Sequence, residues 1–182
     1  VRPDAQAAWN EKWMDALQRD DALRHEHQLA INGGTDKTKY MFSLGYLNED
    51  GILVTTGFQR YNARANVMSN INHWTKANAN LSLSNSVQNF SDYSGSSTSN
   101  VWYSAQFVSP LFPVYIKDLA GNDVLDEFGN RQLDYGEQGR PGSYNDYNPL
   151  GGLLDDIADV KNDVASLRTG MTFGSDEESM GV

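Results

Sequence analysis

Between residues 58 and 71 the side chains alternate without a break. Tyr61, Ala63, Ala65, Val67, Ser69 and Ile71 hold the odd positions, while Arg60, Asn62, Arg64, Asn66, Met68 and Asn70 hold the even ones. A period of two sends successive side chains to opposite faces of an extended chain, so this is a β-strand with one small or apolar face and one polar face. The pattern recurs at 77–90, where Ala79, Leu81, Leu83 and Val87 oppose Asn78, Asn80, Ser82, Ser84, Ser86 and Gln88. It recurs at 38–48, where Tyr40, Phe42, Leu44 and Tyr46 oppose Lys39, Met41, Ser43 and Gly45. Shorter runs at 27–32 (His27, Leu29, Ile31) and 165–174 (Leu167, Met171, Phe173) alternate in the same way. Strands of soluble sheets average about 5–6 residues, so alternation kept over fourteen positions is unusual.

The connections between these runs differ in length. "GGTDKT" and "NHWTK" carry the Gly, Asn and Asp of tight turns, whereas residues 91–163 are far longer than a link inside a compact domain needs. A tilted strand of about 9–11 residues crosses a bilayer. Tyr46, Phe58, Tyr61 and Phe90 fall near one set of strand ends, Tyr40 and Trp74 near the other. Long strands, short turns on one side, long loops on the other and aromatic belts at both ends describe an outer-membrane β-barrel. The competing arrangement is a soluble β-sandwich, whose outer faces are usually richer in Lys, Glu and Thr. Five strands do not close a barrel, and hydrocarbon tolerates no open sheet edge. The barrel reading therefore expects this chain to be a piece of a larger one.

Bulk properties narrow the alternatives. The 182 residues suffice for one domain with a sizeable core. A net charge of −10 and a pI of about 4.6 argue against nucleic acid or an anionic membrane surface as partner. There is no cysteine, which removes disulfides, thiolate nucleophiles and zinc–thiolate sites. A mean hydropathy of −0.58, without a long apolar run, leaves no transmembrane helix.

A specific resemblance sits on the first strands. "HQLAINGGTDKTKYMFSLGYLNEDGILVTTGFQRYNARANV" resembles the early barrel segment of SusC/RagA-type TonB-linked outer-membrane transporters. That family shows a run of the form S-G-G-x-D-K-x-x-Y-x-x-S-x-G-Y, then x-E-G-I and F-x-R-Y-x-x-R-x-N. The matching positions include Gly33, Gly34, Asp36, Lys37, Tyr40, Ser43, Gly45, Tyr46, Gly51, Ile52, Phe58, Arg60, Tyr61, Arg64 and Asn66; Asn32 and Asp50 replace the usual Ser and Glu. "SPLFPVYIKDLAGN" is similar to a loop motif of the same family. The resemblance implies an all-β fold with minor helices: an antiparallel meander forming part of a plugged barrel of about 22 strands. It further implies an outer-membrane location in a Gram-negative bacterium, lipid around the barrel, and import of oligosaccharides or peptides. A SusD-like surface lipoprotein would act as lid, and TonB would engage through a part of the protein outside this chain.

On this frame residues 1–24 are an extracellular connection with a short helix, Trp9, Trp13, Ala16 and Leu17 recurring at helical spacing. Residues 25–90 supply four antiparallel barrel strands, 91–163 a long extracellular loop, and 164–182 a further strand. Alternation places Ala63, Ala65, Val67, Leu81 and Leu83 toward lipid, and Arg60, Arg64, Asn80 and Ser82 toward a water-filled lumen. In the long loop Ser99 is a cap for a helix over 100–109 that Pro110 ends. "DLAGNDVL" followed by "DEFGNRQL" predicts a surface hairpin with two equivalent turns.

The loop is dense in aromatics: Trp102, Tyr103, Tyr115, Tyr135, Tyr144 and Tyr147. With neighbouring Asp and Asn these are candidates for contact with substrate or lid, since rings cover the apolar face of a sugar and amides or carboxylates bind its hydroxyls. The same rings could instead pack a small core within the loop. Asp155, Asp159 and Asp163 would stack on one face of a helix after Gly152, a weak calcium candidate against the simpler reading of a solvated acidic face. His25 and His27 lie two apart on one strand face, a possible metal pair with no third ligand evident. No P-loop, G-x-S-x-G or H-E-x-x-H motif is present, so no catalysis is expected. Two further classes stay open: a soluble secreted glycan-binding β-module, and an acidic structural or adhesive surface protein.

Overall fold

A computed structural model describes residues 10–90, 100–136, 147–155 and 158–174. In chain order the elements are α1 (Trp13–Leu17), β1 (Arg24–Gly34), β2 (Thr38–Asp50), β3 (Gly57–Asn72), β4 (Thr75–Phe90), α2 (Val101–Phe107), α3 (Pro149–Asp155) and β5 (Ala158–Phe173). They fall into two compact units. One comprises the described residues of Val1–Ala22, Gly51–Thr56 and Asn89–Ala158; the other holds the strands.

The second unit is a single sheet in the order β1-β2-β3-β4-β5, so every strand lies beside its neighbour in sequence. β1 and β2 pair antiparallel, with Leu29 opposite Leu44 and Ile31 opposite Phe42. β2 and β3 continue the pattern, with Leu44 opposite Ala63 and Phe42 opposite Ala65. Three contacts hold β5 to β4 at one constant antiparallel offset. Gly174 N donates to Trp74 O at 2.9 Å, Gly170 lies under the Asn78 side chain, and Asn85 Nδ2 donates to the Asp163 carboxylate. The turn between β1 and β2 is closed by Thr35, whose N–H donates to Thr38 O at 2.7 Å and whose hydroxyl accepts from Thr38 N at 3.2 Å. Gly33 and Gly45 are each covered by the residue directly opposite, Tyr40 and Asn62; any Cβ there would collide with that side chain.

The strands are longer than the alternation alone marked. β1 runs on both sides of 27–32, because Arg24 and Glu26 still find partners across β2. β5 begins at Ala158 rather than near 165. That start corrects the acidic helix face: α3 ends at Asp155, and Asp159 and Asp163 lie on β5, so the three aspartates share no helix.

The other unit has its own core. Trp13, Leu17, Leu53, Val101, Ala105, Val108, Val114, Leu150 and Leu153 are buried together. The helices are short, and side chains cap the starts of α2 and α3. Asn100 rather than Ser99 caps α2, its side-chain oxygen accepting from Tyr103 N at 3.1 Å; Ser99 lies outside the described residues, as does Trp9. α2 ends at Phe107, ahead of Pro110. Asn148, 1% exposed, caps α3 by accepting from Leu150 N at 3.0 Å and Gly151 N at 3.2 Å. Its amide donates to Val114 O at 2.9 Å and Asp134 O at 3.0 Å. Proline at the first position of α3 loses nothing, because that N–H has no partner within a helix. Thr55 is the one described non-glycine residue with positive φ, 69°; its hydroxyl donates to Leu153 O at 2.9 Å and holds the turn against α3.

The expected hairpin is instead a closed three-way arrangement. Val124 N donates to Ile116 O (2.8 Å), Gln132 N to Val124 O (3.0 Å), and Ile116 N to Gln132 O (2.8 Å). Three segments eight residues apart thus each donate once and accept once. The joining turns are twins. Asp118 Oδ1 accepts from Ala120 N and Asn122 N, both at 2.8 Å, and Asp126 Oδ1 from Phe128 N and Asn130 N, both at 2.8 Å. Gly121 (φ 88°) and Gly129 (φ 84°) supply the left-handed residue each turn requires. The backbone N–H of Asn122 holds the Asp118 carboxyl below its ordinary 3.8, helped by the Asn122 side chain. The backbone N–H of Asn130 does the same at Asp126.

Two outcomes follow. Asn148→Ala strands the N–H groups of Leu150 and Gly151 and the Asp134 carbonyl, while Val114 O keeps its bond from Asp134 N; each unsatisfied group costs about 1–3 kcal/mol. Its variant should therefore lose at least about 2 kcal/mol, read as faster hydrogen exchange across α2 and α3 with the sheet's exchange unchanged. The aspartate turns give an acid-side effect. A carboxyl depressed in the folded state contributes stability above its ordinary value and loses it as pH falls through the lowered one. The amide signals of Asn122 and Asn130 should hold down to about pH 4 and move together below it, and Asp118→Ala should abolish the Asn122 step alone.

Candidate functional site

The sheet carries its chemistry in rows set by register. On one face these run Gly33–Tyr40–Val67, Ile31–Phe42–Ala65, Leu29–Leu44–Ala63, His27–Tyr46–Tyr61 and His25–Asn48–Gln59. Two rows of aliphatics and one phenylalanine are thus followed by an aromatic row and then a polar one. Among the described residues nothing covers the apolar rows: Leu29 is 59%, Ile31 58%, Phe42 47% and Leu44 59% exposed. A contiguous apolar surface of this kind marks contact with another apolar phase or partner.

The aromatic row is tightly knit. Tyr46 and Tyr61 have ring centroids 4.9 Å apart, His27 stacks on Tyr46 at 6.4 Å, and His25 meets His27 edge-on at 5.5 Å. Gln59 Nε2 donates to Tyr46 Oη at 3.1 Å, which fixes the phenol. A concavity of about 990 Å³ is lined by residues of all five strands, among them Leu29, Leu44, Tyr61, Leu83 and Asp163.

The opposite face holds Arg60 across from Leu47 and Arg64 across from Ser43. Arg60 leans over the Phe58 ring, 6.0 Å from its centroid. Asn80 lines a smaller hollow of about 280 Å³ with Lys39, Met41, Asn66, Met68 and Asn78. Ser82 is half-buried on β4. Arg60 and Arg64 therefore lie on the face away from Ala63, Ala65 and Val67.

The loop aromatics divide into two groups. Trp102 and Tyr115 pack against the small core, and the Arg131 guanidinium sits 4.0 Å from the Tyr115 centroid. Tyr135 donates to the Asp155 carboxylate at 3.4 Å and lies over Gly151. Burial first, and the Asp155 charge second, push its phenol above the ordinary value. Tyr147 is half-buried near Gly152, and Tyr144 lies outside the described residues. Tyr103 differs: it is 45% exposed, and with Phe107, 52% exposed, it forms a surface pair with centroids 4.4 Å apart. Phe107 went unnoticed in the sequence, although its spacing of four from Tyr103 on a helix carried the signal. The polar cluster Glu11–Lys117–Asp123–Arg131 was also missed; the three-way arrangement gathers Lys117, Asp123 and Arg131, and Glu11 joins them from the segment held to Pro110 O.

No group of three or more His, Asp or Glu close enough to hold a metal ion occurs among the described residues. Asp163 is engaged with Asn85 and Asp155 with Tyr135. Among the described residues no helix is long and apolar enough to cross a membrane, which leaves open a crossing by strands.

The chain matches no protein-family model. TonB-dependent receptor SusC of Bacteroides thetaiotaomicron is 32% identical to it over 107 residues, covering 58% of this chain and 10% of that protein. TonB-dependent receptor P3 of Formosa agariphila is 26% identical over 125 residues, covering 66% of this chain and 12% of that protein. The matched stretches thus span about a tenth of each relative's length. Both relatives are receptors rather than enzymes. The two partial matches relate this chain to TonB-dependent receptors, and its antiparallel meander is the architecture of a partial barrel segment from such a protein.

Proposed function

We propose that this chain is a segment of a SusC/RagA-type TonB-dependent transporter in the outer membrane of a Gram-negative bacterium. The whole protein imports oligosaccharides or peptides, with a SusD-like lipoprotein as lid and TonB engaged elsewhere in the protein. The observation that carries this reading is the uncovered apolar face and its graded rows. From Tyr61 to Ile71 the face spans ten residues, about 33 Å along the strand, or about 25 Å along the normal at a tilt near 40°, the height of a barrel's apolar band. The Tyr46–Tyr61 row lies where hydrocarbon gives way to headgroups, as aromatic belts do. Ala63, Ala65, Val67, Leu81 and Leu83 then face lipid, and Arg60, Arg64, Asn80 and Ser82 face the lumen. β1 and β5 each keep one unpaired edge within this sheet, which in hydrocarbon demands further strands of the same protein. The stretch between β4 and β5 belongs on the extracellular side, where barrel loops are long.

Single cysteines test the faces in the intact barrel. Ala65→Cys and Val67→Cys should react with a lipid-soluble maleimide, Arg64→Cys and Asn80→Cys with an impermeant one. Swapped accessibility would overturn the assignment. Ala65→Arg should reduce barrel stability by about 2–4 kcal/mol, the cost of arginine facing lipid near mid-bilayer.

For the loop, recognition rests on Tyr103 rather than on the rings engaged inside the unit. Tyr103→Ala should weaken lid-protein or ligand affinity while moving stability by less than about 0.5 kcal/mol. Trp102→Ala should do the reverse, lowering stability by about 1–3 kcal/mol through lost packing. Unchanged affinity and uptake in Tyr103→Ala would leave the loop without a recognition role.

A further inference from the structure

We propose that His25 and His27 form a binding site for a divalent late transition ion, Cu²⁺ first and then Ni²⁺ or Zn²⁺, on the outer rows of the sheet. Both lie on β1, two residues apart, so both rings leave the strand on the same face. Their centroids are 5.5 Å apart with planes at 68°. A metal sits about 2.0–2.1 Å from an imidazole nitrogen and hence about 3.2 Å from the ring centre, so two imidazoles at a tetrahedral angle have centres about 5.2 Å apart. The observed centroid spacing lies within a few tenths of an ångström of that value.

The surroundings favour a cation. Tyr46 packs on both rings, 5.6 Å from His25 and 6.4 Å from His27, and is itself fixed by Gln59, so the rings are held close before any ion arrives. His27 is exposed and His25 half-buried, which leaves a path from solvent. The Nδ1 of His25 is buried and finds no hydrogen-bond partner among the described residues, so no acceptor pins its tautomer. The neighbouring Arg24 and Glu26 point to the opposite face, where Arg24 pairs with Glu49 at 3.1 Å and Glu26 at 3.4 Å. Across from the pair on β2 stand the uncharged Asn48 and Tyr46, with Asp50 in the next row of the same face. A chain of net charge −10 also concentrates cations at its surface. Two imidazoles with water in the remaining positions select metals in the order that places Cu²⁺ highest.

The test uses the full-length protein in detergent, Cu²⁺ alone as probe, and electron paramagnetic resonance read as wild type minus variant. Wild type should bind one more Cu²⁺ than either His25→Asn or His27→Asn, with the difference spectrum showing coupling to two imidazole nitrogens. The affinity at that site should fall at least tenfold in each variant, while His73→Asn leaves it unchanged. Identical stoichiometry and spectra in wild type and both variants would overturn the site. Should a variant fail to fold, metal-dependent protection of His25 and His27 from diethylpyrocarbonate in the wild type decides, read by peptide mass spectrometry. Protection of both supports the site, and equal labelling with and without Cu²⁺ overturns it. Transport is no part of either readout, so the result stands apart from the function proposed for the whole protein.

Discussion

Strand register is the constraint on which the sheet depends. With Leu44 held between Leu29 and Ala63, alternation gathers aliphatic side chains on one face and Arg60, Asn62, Arg64 and Asn66 on the other. A slip of one residue would exchange the faces of an entire strand. Arg64 alone, turned toward hydrocarbon, would cost about 2–4 kcal/mol near mid-bilayer. Local devices act in the same sense but more weakly: the Thr35 turn, the 2.8 Å Thr38–Ser69 hydroxyl pair, and the side chains that cover Gly33 and Gly45. A cross-strand pair is worth about 0.2–1 kcal/mol. The faces therefore dominate, and the turns select among registers that the faces already permit.

The helical unit satisfies its backbone by other means. Its helices have five or seven residues, too short to be stable alone, so caps and core must hold them. Asn148 reaches four backbone groups on two sides of the core and ties α3 to the strand segments around Val114 and Asp134. The aspartate turns repeat the same solution at the surface, a side-chain oxygen standing in for a ladder partner. Nine buried residues form the core among the described residues, and these caps and turns relieve it of the polar backbone groups they bind.

The sheet was legible from the sequence because period two is a local property: the rows of 38–48, 58–71 and 77–90 can be read without knowing any partner. Strand ends were harder. Asp159 and Asp163 fit a helical spacing as well as an extended one, and only pairing with β4 decides for the strand. The loop was legible in parts. The eight-residue repeat was plain, yet its third turn carries Asp134 and Gly136 at a changed spacing, so the closed ring read as a hairpin. Residue type alone leaves the role of the aromatics open, for a physical reason. Trp102, Tyr115 and Tyr135 look like ligand contacts by residue type, but a small unit must draw its core from whatever large side chains it has. Composition does not say which ring is consumed; the helix face does, burying Val101, Ala105 and Val108 and leaving Tyr103 and Phe107 outside.

Exposure of the apolar face also bears on whether such a sheet suits water. Fully burying a large aliphatic or aromatic side chain is worth about 1.5–3 kcal/mol. Leu29, Ile31, Phe42 and Leu44 are each about half exposed, so together they forgo roughly 3–6 kcal/mol, a large share of the 5–15 kcal/mol that stabilises a typical domain. Something must cover this face. A second sheet, as in a sandwich, would leave the other face in solvent, where Lys, Glu and Thr would be expected. That face keeps its Lys and Glu at the strand ends, Lys39 at one and Glu26 and Glu49 with Arg24 at the other, and between them carries Asn62, Asn66, Asn78 and Asn80 beside Arg60 and Arg64, with Gly45 and Ser43, a surface suited to confined water or to neighbouring polypeptide. Hydrocarbon covers an apolar face without requiring a matched partner sheet, and it accepts the Ala63–Ala65 stretch, which is too small to interdigitate with one. The contrast between the two faces, more than the hydrophobicity of either, supports the bilayer reading.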